Sequence, residues 1–261
     1  MKRILKSELD KFYTKPELSK YLISKINLGD YDLIIDPCCG DGSFYLNINH
    51  GNKIGIDIDP QIIDVQKSDF LKWNYRQITS SSDKVLVLSN PPFGKGGSLA
   101  HKFIKKSSEI ADTIAFILPL SFCKPSQKNK VPEYFHLEFE EILPDNSFLL
   151  NGEDYDVKCV FQIWKKKSFK RLKSEIENPK YFEYTKNKSS ADLSIRRVGF
   201  FAGKASLDCN KSEQSHYFII LDDKSKINLV IEKLNEIEWT DFTVGPRSIS
   251  KLELNSVLNK I

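Results

Sequence analysis

Hydrophobic residues in the first two-thirds of the chain form short continuous runs rather than an alternating pattern. Four such runs occupy residues 32–36, 53–57, 84–89 and 113–118. The segments between them leave room for crossover helices, of which residues 98–110 are the clearest example. Continuous apolar strands separated by helices are typical of a parallel sheet that is covered on both faces. The pattern therefore predicts an α/β domain with a doubly wound sheet.

The pattern changes toward the end of this region. Residues 139–143 and 157–164 form two further strand-like runs, separated by a turn-rich stretch. Two runs joined in this way predict a terminal antiparallel hairpin that closes the sheet. A lysine-rich stretch at 165–173 then marks a change in composition. We place the domain boundary there, with a first domain at residues 1–165 and a C-terminal region at 166–261.

The C-terminal region has a different organisation. Its hydrophobic pattern predicts short strands at 193–198 and 216–221. Two helices follow, one at 225–238 and a last one from Ser250, where Ser250 and Glu253 have the spacing of a capping box. We therefore expect a small α+β region beside the larger α/β domain.

Composition excludes several classes of protein. The 261 residues are 40% hydrophobic and 11% aromatic, which is too rich in core-forming side chains for a disordered chain. No apolar run approaches the roughly 18 residues that span a bilayer, and the N-terminus lacks the apolar segment of a secretory signal. Five cysteines without a metal-ligand spacing indicate free thiols, an intracellular location (cytoplasmic, or nuclear in a eukaryotic or viral setting) and no metal site.

A glycine turn follows the first predicted strand. Gly40 and Gly42 lie at its carboxyl end, where a doubly wound sheet binds its ligand. The helix expected after the turn would offer free N–H groups to that ligand. Asp57 ends the second strand, and a carboxylate there suits two ribose hydroxyls. Asp69 and Phe70, in the next loop, suit an adenine ring. Together these residues predict a nucleoside-like ligand.

The tetrapeptide Asn90-Pro91-Pro92-Phe93 follows the third strand. The prolines fix the backbone and remove two donors, so nearby carbonyls point outward. The Asn90 side-chain oxygen and the Pro91 carbonyl can then accept both hydrogens of one planar amino group, which exposes its nitrogen lone pair to an electrophile. The Phe93 ring is placed to stack on a planar substrate. These residues predict chemistry on an exocyclic amine.

With these motifs the sequence resembles the class I S-adenosylmethionine-dependent amino-methyltransferases, particularly those that act on adenine N6. The resemblance covers roughly residues 12–165 and implies a seven-stranded, mostly parallel, Rossmann-like methyltransferase sheet with an antiparallel last strand. It implies S-adenosylmethionine as the cofactor and Asn90, Pro91, Pro92 and Phe93 as the catalytic motif. The cofactor-binding residues that it implies are Tyr13, Thr14, Asp36, Pro37, Gly40, Gly42, Phe44, Asp57, Asp69 and Phe70.

Several basic segments are expected on the loop face of the sheet and in the C-terminal region. The net charge of +4 is too small to imply nucleic acid by itself. Clustered cations with interleaved aromatic residues nevertheless suit a phosphate backbone and unstacked bases. The candidate nucleic-acid-binding residues are Lys95, Lys124, Lys128, Lys130, Lys166, Arg196, Arg197 and Lys204.

The expected activity is methyl transfer to adenine N6 in nucleic acid, with DNA favoured over RNA and the C-terminal region recognising the substrate. A target base in a duplex would have to be flipped out to reach the site. Three alternatives stay open: an RNA adenine, a protein glutamine or guanine N2 acceptor, and a non-catalytic nucleic-acid-binding subunit. A partner subunit or a homodimer is compatible with all of them.

Overall fold

The computed structural model describes residues 12–75, 83–174, 177–239, 242 and 246–261. The chain divides into two compact units between Lys173 and Ser174, beyond the boundary expected at 165/166. The difference arises because the lysine-rich stretch packs on the first unit: the Arg171 guanidinium donates hydrogen bonds to the carbonyl oxygens of Phe135, Lys128 and Val131.

The first unit is built around a parallel sheet with few helices. The strands among its described residues are β1 (Tyr13–Thr14), β2 (Leu33–Asp36), β3 (Lys53–Asp57), β4 (Val65–Lys67), β5 (Val85–Ser89), β6 (Thr113–Pro119), β7 (Phe135–Ile142), β8 (Phe148–Leu150), β9 (Glu153–Tyr155) and β10 (Cys159–Lys166). Its helices there are α1 (Pro16–Ile23), α2 (Ser98–Ser107) and α3 (Pro125–Lys128), with 3₁₀ turns at Leu28–Asp30, Tyr45–Asn47, Lys95–Gly97 and Leu120–Cys123.

Within residues 12–75 and 83–173, seven strands form the main sheet in the order β4-β3-β2-β5-β6-β10-β7. Neighbouring strands from β4 to β6 are parallel, whereas β10 runs antiparallel to both β6 and β7. The chain winds outward from β2 in one direction and from β5 in the other, so the sheet is doubly wound. The predicted Rossmann-like methyltransferase fold, with its closing hairpin, is confirmed.

The predicted helix after the glycine turn is absent from the described structure. Between β2 and β3 the chain forms only the 3₁₀ turn Tyr45–Asn47. The turn itself occupies residues up to Gly42, so the remainder of the connection is too short for a full crossover helix. Helix α2, which connects β5 and β6, matches the helix expected at 98–110.

The core covers both faces of β5 and β6. Leu86 and Leu88 pack in one cluster with Ile34 and Phe161, all of them completely buried. On the strand the side chains alternate, and Val87 is buried on the opposite face. Burying each such side chain stabilises the folded state by about 1.5–3 kcal/mol. The sheet is therefore a rigid base for the loops at its carboxyl edge.

The second unit is a small antiparallel sheet with two helices. Its described elements are β11 (Phe182–Thr185), β12 (Leu193–Arg196), β13 (Ala205–Ser206), β14 (His216–Leu221), the 3₁₀ turn Lys224–Lys226, α4 (Ile227–Glu236) and α5 (Lys251–Leu258). The strand order is β11-β14-β12-β13. Leu193 and Ile219 form a core with Leu234 of α4 and Leu254 of α5. Ser250 and Glu253 form the predicted capping box. No described helix is long and apolar enough to cross a membrane.

Candidate active site

A cavity of about 430 Å³ opens where β2, β3 and β5 end. This volume is in the range of small-molecule sites, and the carboxyl edge of a doubly wound sheet is where such sites form. Of the predicted cofactor-binding residues, all except Gly42 line this cavity, and so do Asn90 and Pro92. Lining residues that the sequence did not indicate include Ile58, Gln61, Leu99 and Phe103.

The glycine turn forms one wall of the cavity. Gly40 has a positive φ of 52°, which L-residues with a side chain rarely adopt. A Cβ at this position would lie 2.9 Å from the Tyr13 ring, which is closer than such contacts occur. The Tyr13 hydroxyl in turn accepts a hydrogen bond of 2.8 Å from the Gln61 amide. The turn therefore brings the main chain directly to the ligand space.

Asp57 is held by main-chain donors on both of its oxygens. The Gly40 N–H donates to Oδ2 and the Asp59 N–H donates to Oδ1, each at 2.8 Å. A carboxylate oxygen has a second lone pair, so Asp57 keeps acceptor capacity toward the cavity. The side chain is thus oriented before any ligand arrives, as a contact to two vicinal hydroxyls requires.

Apolar residues line the cavity together with Asp57. Ile58, which is largely exposed, and the neighbouring residues Phe70 and Leu71 are part of this lining. Phe70 is itself held in place by a stacked contact with Phe103 at 5.6 Å between ring centroids. An apolar lining suits a planar base, so together with the oriented Asp57 carboxylate it suits an adenosine-containing ligand. Because Ile58 directly follows Asp57, its place in the cavity lining could have been predicted from the sequence.

Asn90 lies at the other end of the cavity with one atom unpaired. Its Nδ2 donates to the Thr14 hydroxyl oxygen at 3.2 Å. Its Oδ1 is buried and has no hydrogen-bond partner among the described residues. A buried acceptor without a partner costs about 1–3 kcal/mol, so such an atom requires an explanation. An amine bound in the cavity would supply the missing donor.

A buried carboxyl supports the strand that carries Asn90. Asp36 is almost completely buried and accepts a hydrogen bond of 2.6 Å from the Ser89 hydroxyl and one from the Cys38 N–H. Burial raises the pKa of Asp36 to about 7, although these hydrogen bonds act in the opposite direction. Burial also raises the pKa of the Cys38 thiol, which lies 3.0 Å from the Ser89 hydroxyl. The thiol therefore stays protonated and acts as a packing residue here.

The structure places Phe93 differently from the sequence-based expectation. Its side chain is only 8% exposed and belongs to the hydrophobic core rather than to the cavity lining. Its ring packs edge-on against Phe12 at 5.4 Å, and Phe12 is the aromatic residue that lines the cavity at this place. Pro91 is buried as well. Phe12, and not Phe93, therefore contributes an aromatic side chain to the cavity lining.

The candidate nucleic-acid-binding residues of the first unit do not form one uniform cationic surface. Lys124 is only 7% exposed, which corrects its assignment as a surface cation. Lys128 forms an ion pair of 2.8 Å with Glu140, and Lys130 donates to the Gln127 amide oxygen. Of this set, Lys95, Lys130 and Lys166 are exposed.

The lysine-rich stretch is also largely paired within its own unit. Lys170 and Lys173 both contact Glu133, at 3.0 and 2.8 Å, and hold the pKa of its carboxyl at about 2. Lys167 pairs with Glu138 at 3.2 Å. The clustered charges in this part of the sequence are therefore partly neutralised by acidic neighbours that are distant along the chain.

The candidate residues of the second unit have different surroundings. The Arg196 Nε–H donates to the Val198 carbonyl oxygen at 2.9 Å. Arg197 is exposed, with its guanidinium 5.3 Å from the Tyr217 ring centroid. Lys204 is exposed along its stem and donates to the Asn235 carbonyl oxygen. Arg196 is thus engaged locally, while Arg197 and Lys204 lie at the surface.

No protein-family model matches the chain. Protein ENHANCED DOWNY MILDEW 2 from Arabidopsis thaliana is 25% identical over 205 residues, which cover 70% of this chain and 16% of that protein. The chain thus spans about a sixth of the length of this curated relative.

Solved structures with a similar architecture have low sequence identity. A putative RNA methyltransferase from Pyrococcus horikoshii has a TM-score of 0.47 at 17% identity, with 63% of this chain and 90% of that chain covered. A modification subunit of a putative type I restriction enzyme from Vibrio vulnificus has a TM-score of 0.45 at 13% identity, with 62% and 46% covered. The strand order of the main sheet gives this chain the Rossmann-like methyltransferase fold.

Proposed function

We propose that the chain is a methyltransferase that transfers a methyl group from S-adenosylmethionine to the exocyclic N6 amine of adenine in nucleic acid, with DNA favoured over RNA. The observation that carries this proposal is the buried, unpaired Asn90 Oδ1 at one end of the cavity. The oriented Asp57 carboxylate at the other end supports a nucleoside-containing cofactor.

The cofactor residues divide by the part of the ligand that they suit. Asp57 would accept hydrogen bonds from the two ribose hydroxyls, and Asp69 would accept one from the adenine amino group beside the apolar lining that includes Ile58 and Phe70. Gly40 lets the main chain approach closely. When bound, S-adenosylmethionine supplies an electrophilic methyl group.

The contribution of the chain to the transfer is to bind and align the acceptor amine. Asn90 Oδ1 would accept one amine hydrogen and the Pro91 carbonyl oxygen the other, which directs the nitrogen lone pair away from both and toward the methyl group. Alignment of reacting atoms in a closed cavity accounts for large rate enhancements without a strong base. The amine nitrogen becomes acidic once it is alkylated, so its proton can leave to water.

The proposal is tested by following tritiated methyl transfer to three matched substrates: a DNA duplex, single-stranded DNA and a structured RNA. Nucleoside mass spectrometry then identifies the product. We expect N6-methyldeoxyadenosine. N6-methyladenosine from RNA alone would contradict the preference for DNA and support methyl transfer to adenine N6. N2-methylguanosine would instead identify guanine as the acceptor. Cofactor binding by calorimetry without transfer to any nucleic acid would shift the proposal to a protein glutamine or a non-catalytic role.

A further inference from the structure

Two phenylalanine side chains project from a hairpin of the second unit. Phe200 is 86% exposed and Phe201 is 61% exposed, on the turn between β12 and β13. Their ring centroids lie 5.1 Å apart in a T-shaped arrangement with an interplanar angle of 89°. A T-shaped pair leaves ring faces uncovered. Adjacent large apolar side chains at this exposure mark an interaction site more often than isolated ones do.

The hairpin that carries these rings is rigid. The Arg196 N–H donates to the Lys204 carbonyl at 2.9 Å, and the Gly203 N–H donates back to the Arg196 carbonyl at 2.7 Å. Gly203 has a φ of 98°, and a Cβ there would overlap the Trp239 ring at 2.1 Å. Ala202, the residue after the aromatic pair, is buried in the core of the unit. The two rings are therefore presented by an ordered turn and not by a loosely held loop.

A second segment lies alongside the hairpin. The Gly199 N–H donates to the Arg247 carbonyl at 2.8 Å, and the Ile249 N–H donates to the Arg197 carbonyl at 2.9 Å. Residues 194–206 contain three cations and no acidic residue, and residues 246–251 contain two cations and no acidic residue. The aromatic pair is thus flanked by positive charge in both segments.

We infer that the Phe200–Phe201 hairpin is a nucleic-acid contact: an unstacked base packs on the exposed rings while neighbouring phosphates contact Arg197 and Lys204. Base–aromatic stacking tolerates any sequence because every base has a π-face, and flanking cations bind the backbone. The charge of the two segments favours this polyanion over a neutral apolar partner. The inference deepens the proposed function and rests on its nucleic-acid substrate.

The test measures binding of fluorescein-labelled single-stranded DNA, duplex DNA and structured RNA to the full chain by fluorescence anisotropy. We expect the double variant Phe200→Ala/Phe201→Ala to bind single-stranded DNA about tenfold or more weakly, since both stacking faces are lost. Phe201→Tyr keeps an aromatic face and should bind within about twofold of the original. Arg197→Gln should lower the slope of log affinity against log salt by about one.

The matched control is Tyr181→Ala in the same unit. Tyr181 is 63% exposed and lines a groove whose charged residues are Asp222, Asp223 and Lys226, so this groove has no excess of positive charge for a phosphate backbone. Its loss should leave DNA binding unchanged, and circular dichroism should show all variants folded, because the altered side chains are exposed. The cofactor affinity of each variant is measured in parallel as a readout of the first unit.

Each remaining outcome has a distinct meaning. Equal DNA binding by the double variant and the original chain would overturn the inference and leave the proposed function intact. Absence of binding to either DNA or RNA by the original chain would overturn both. Binding to phosphatidylserine vesicles that is lost in the double variant, with DNA binding unchanged, would make the hairpin a membrane contact and overturn the inference.

Discussion

The two ends of the cavity are built from different kinds of hydrogen bond. At the Asp57 end, main-chain N–H groups donate to both carboxylate oxygens. At the Asn90 end, the side-chain amide is held by another side chain, Thr14, and one acceptor has no partner. The first arrangement is complete without a ligand, whereas the second leaves one buried acceptor without a partner among the described residues.

This difference separates binding from chemistry. Main-chain donors fix Asp57 through the turn geometry, so the Asp57 end should determine how tightly the cofactor binds. Under the proposed function, the desolvated acceptor at the Asn90 end gains a hydrogen-bond partner only when the acceptor amine is bound. Interactions realised with the reacting group raise turnover rather than ground-state affinity. Substitutions at the two ends should therefore change different kinetic parameters.

The largest effect is expected for Asn90→Ala. Loss of the Oδ1 acceptor removes the group that aligns the amine, and removal of a comparable preorganised group costs about 10²- to 10³-fold in turnover. Cofactor affinity by calorimetry should stay within about threefold, because Asp57 and the glycine turn are untouched. Turnover is measured as tritiated methyl transfer at saturating cofactor.

Asn27→Ala serves as its control, since Asn27 is exposed and does not line the cavity. That variant should match the original chain in both measurements. Turnover of Asn90→Ala within a few-fold of the original would refute the role given to Asn90. Equal losses of cofactor affinity and turnover would mean that the two ends are not separable.

Asp57→Asn should have the opposite effect from Asn90→Ala: it should weaken cofactor binding and leave turnover nearly unchanged. The amide has one acceptor oxygen, so it cannot accept from both main-chain donors and also face two hydroxyls. Hydrogen bonds to a charged group are worth about 1.5–3 kcal/mol, which corresponds to roughly 10- to 150-fold in cofactor affinity. Turnover at saturating cofactor should change little. Asp64→Asn, an exposed acid outside the cavity lining, controls for the loss of charge.

Thr14→Val should produce a smaller loss that belongs to the Asn90 end. The substitution removes the hydroxyl that accepts from Asn90 Nδ2 and keeps the shape of this buried side chain. A neutral hydrogen bond contributes about 1 kcal/mol, so turnover should fall about fivefold. Thr14→Ser, which keeps the hydroxyl, should restore most of it. A loss of cofactor affinity alone in Thr14→Val would instead assign Thr14 to the cofactor, as the family resemblance implies.

Much of the first unit was predictable because its signals are local. Continuous apolar runs predicted β2, β3, β5 and β6, since strands buried on both faces consist mainly of apolar residues. The glycine turn and the Asn90 motif predicted where the cavity lies. The missing helix after the turn depended on the length of one connection, which hydrophobic periodicity does not measure.

Other features depended on contacts between distant parts of the chain. The burial of Phe93 follows from its packing against Phe12, and no local pattern indicates that pair. From the sequence alone, the lysines of residues 165–173 predict a cationic surface. In the structure, several of them form ion pairs with Glu133 and Glu138. Charge runs in a sequence predict a surface only when their acidic partners are known.

The smallest expected effect is a pH dependence of stability caused by Asp36. It tests the buried carboxyl that supports the Asn90 end. Its folded-state pKa, about 7, lies above its ordinary value of 3.8 because the carboxyl is buried. The native state therefore binds the proton more tightly, so the stability contributed by the protonated carboxyl is fully present below about pH 4 and is lost as pH rises through about 7.

The Asp36→Asn side chain cannot ionise. The melting temperature of this variant minus that of the original chain should therefore increase by a few degrees from pH 5 to pH 8. Other titrating groups are common to both chains and cancel in the difference. A difference that stays constant over this range would mean that Asp36 does not titrate between pH 5 and pH 8 and would contradict a folded-state pKa near 7.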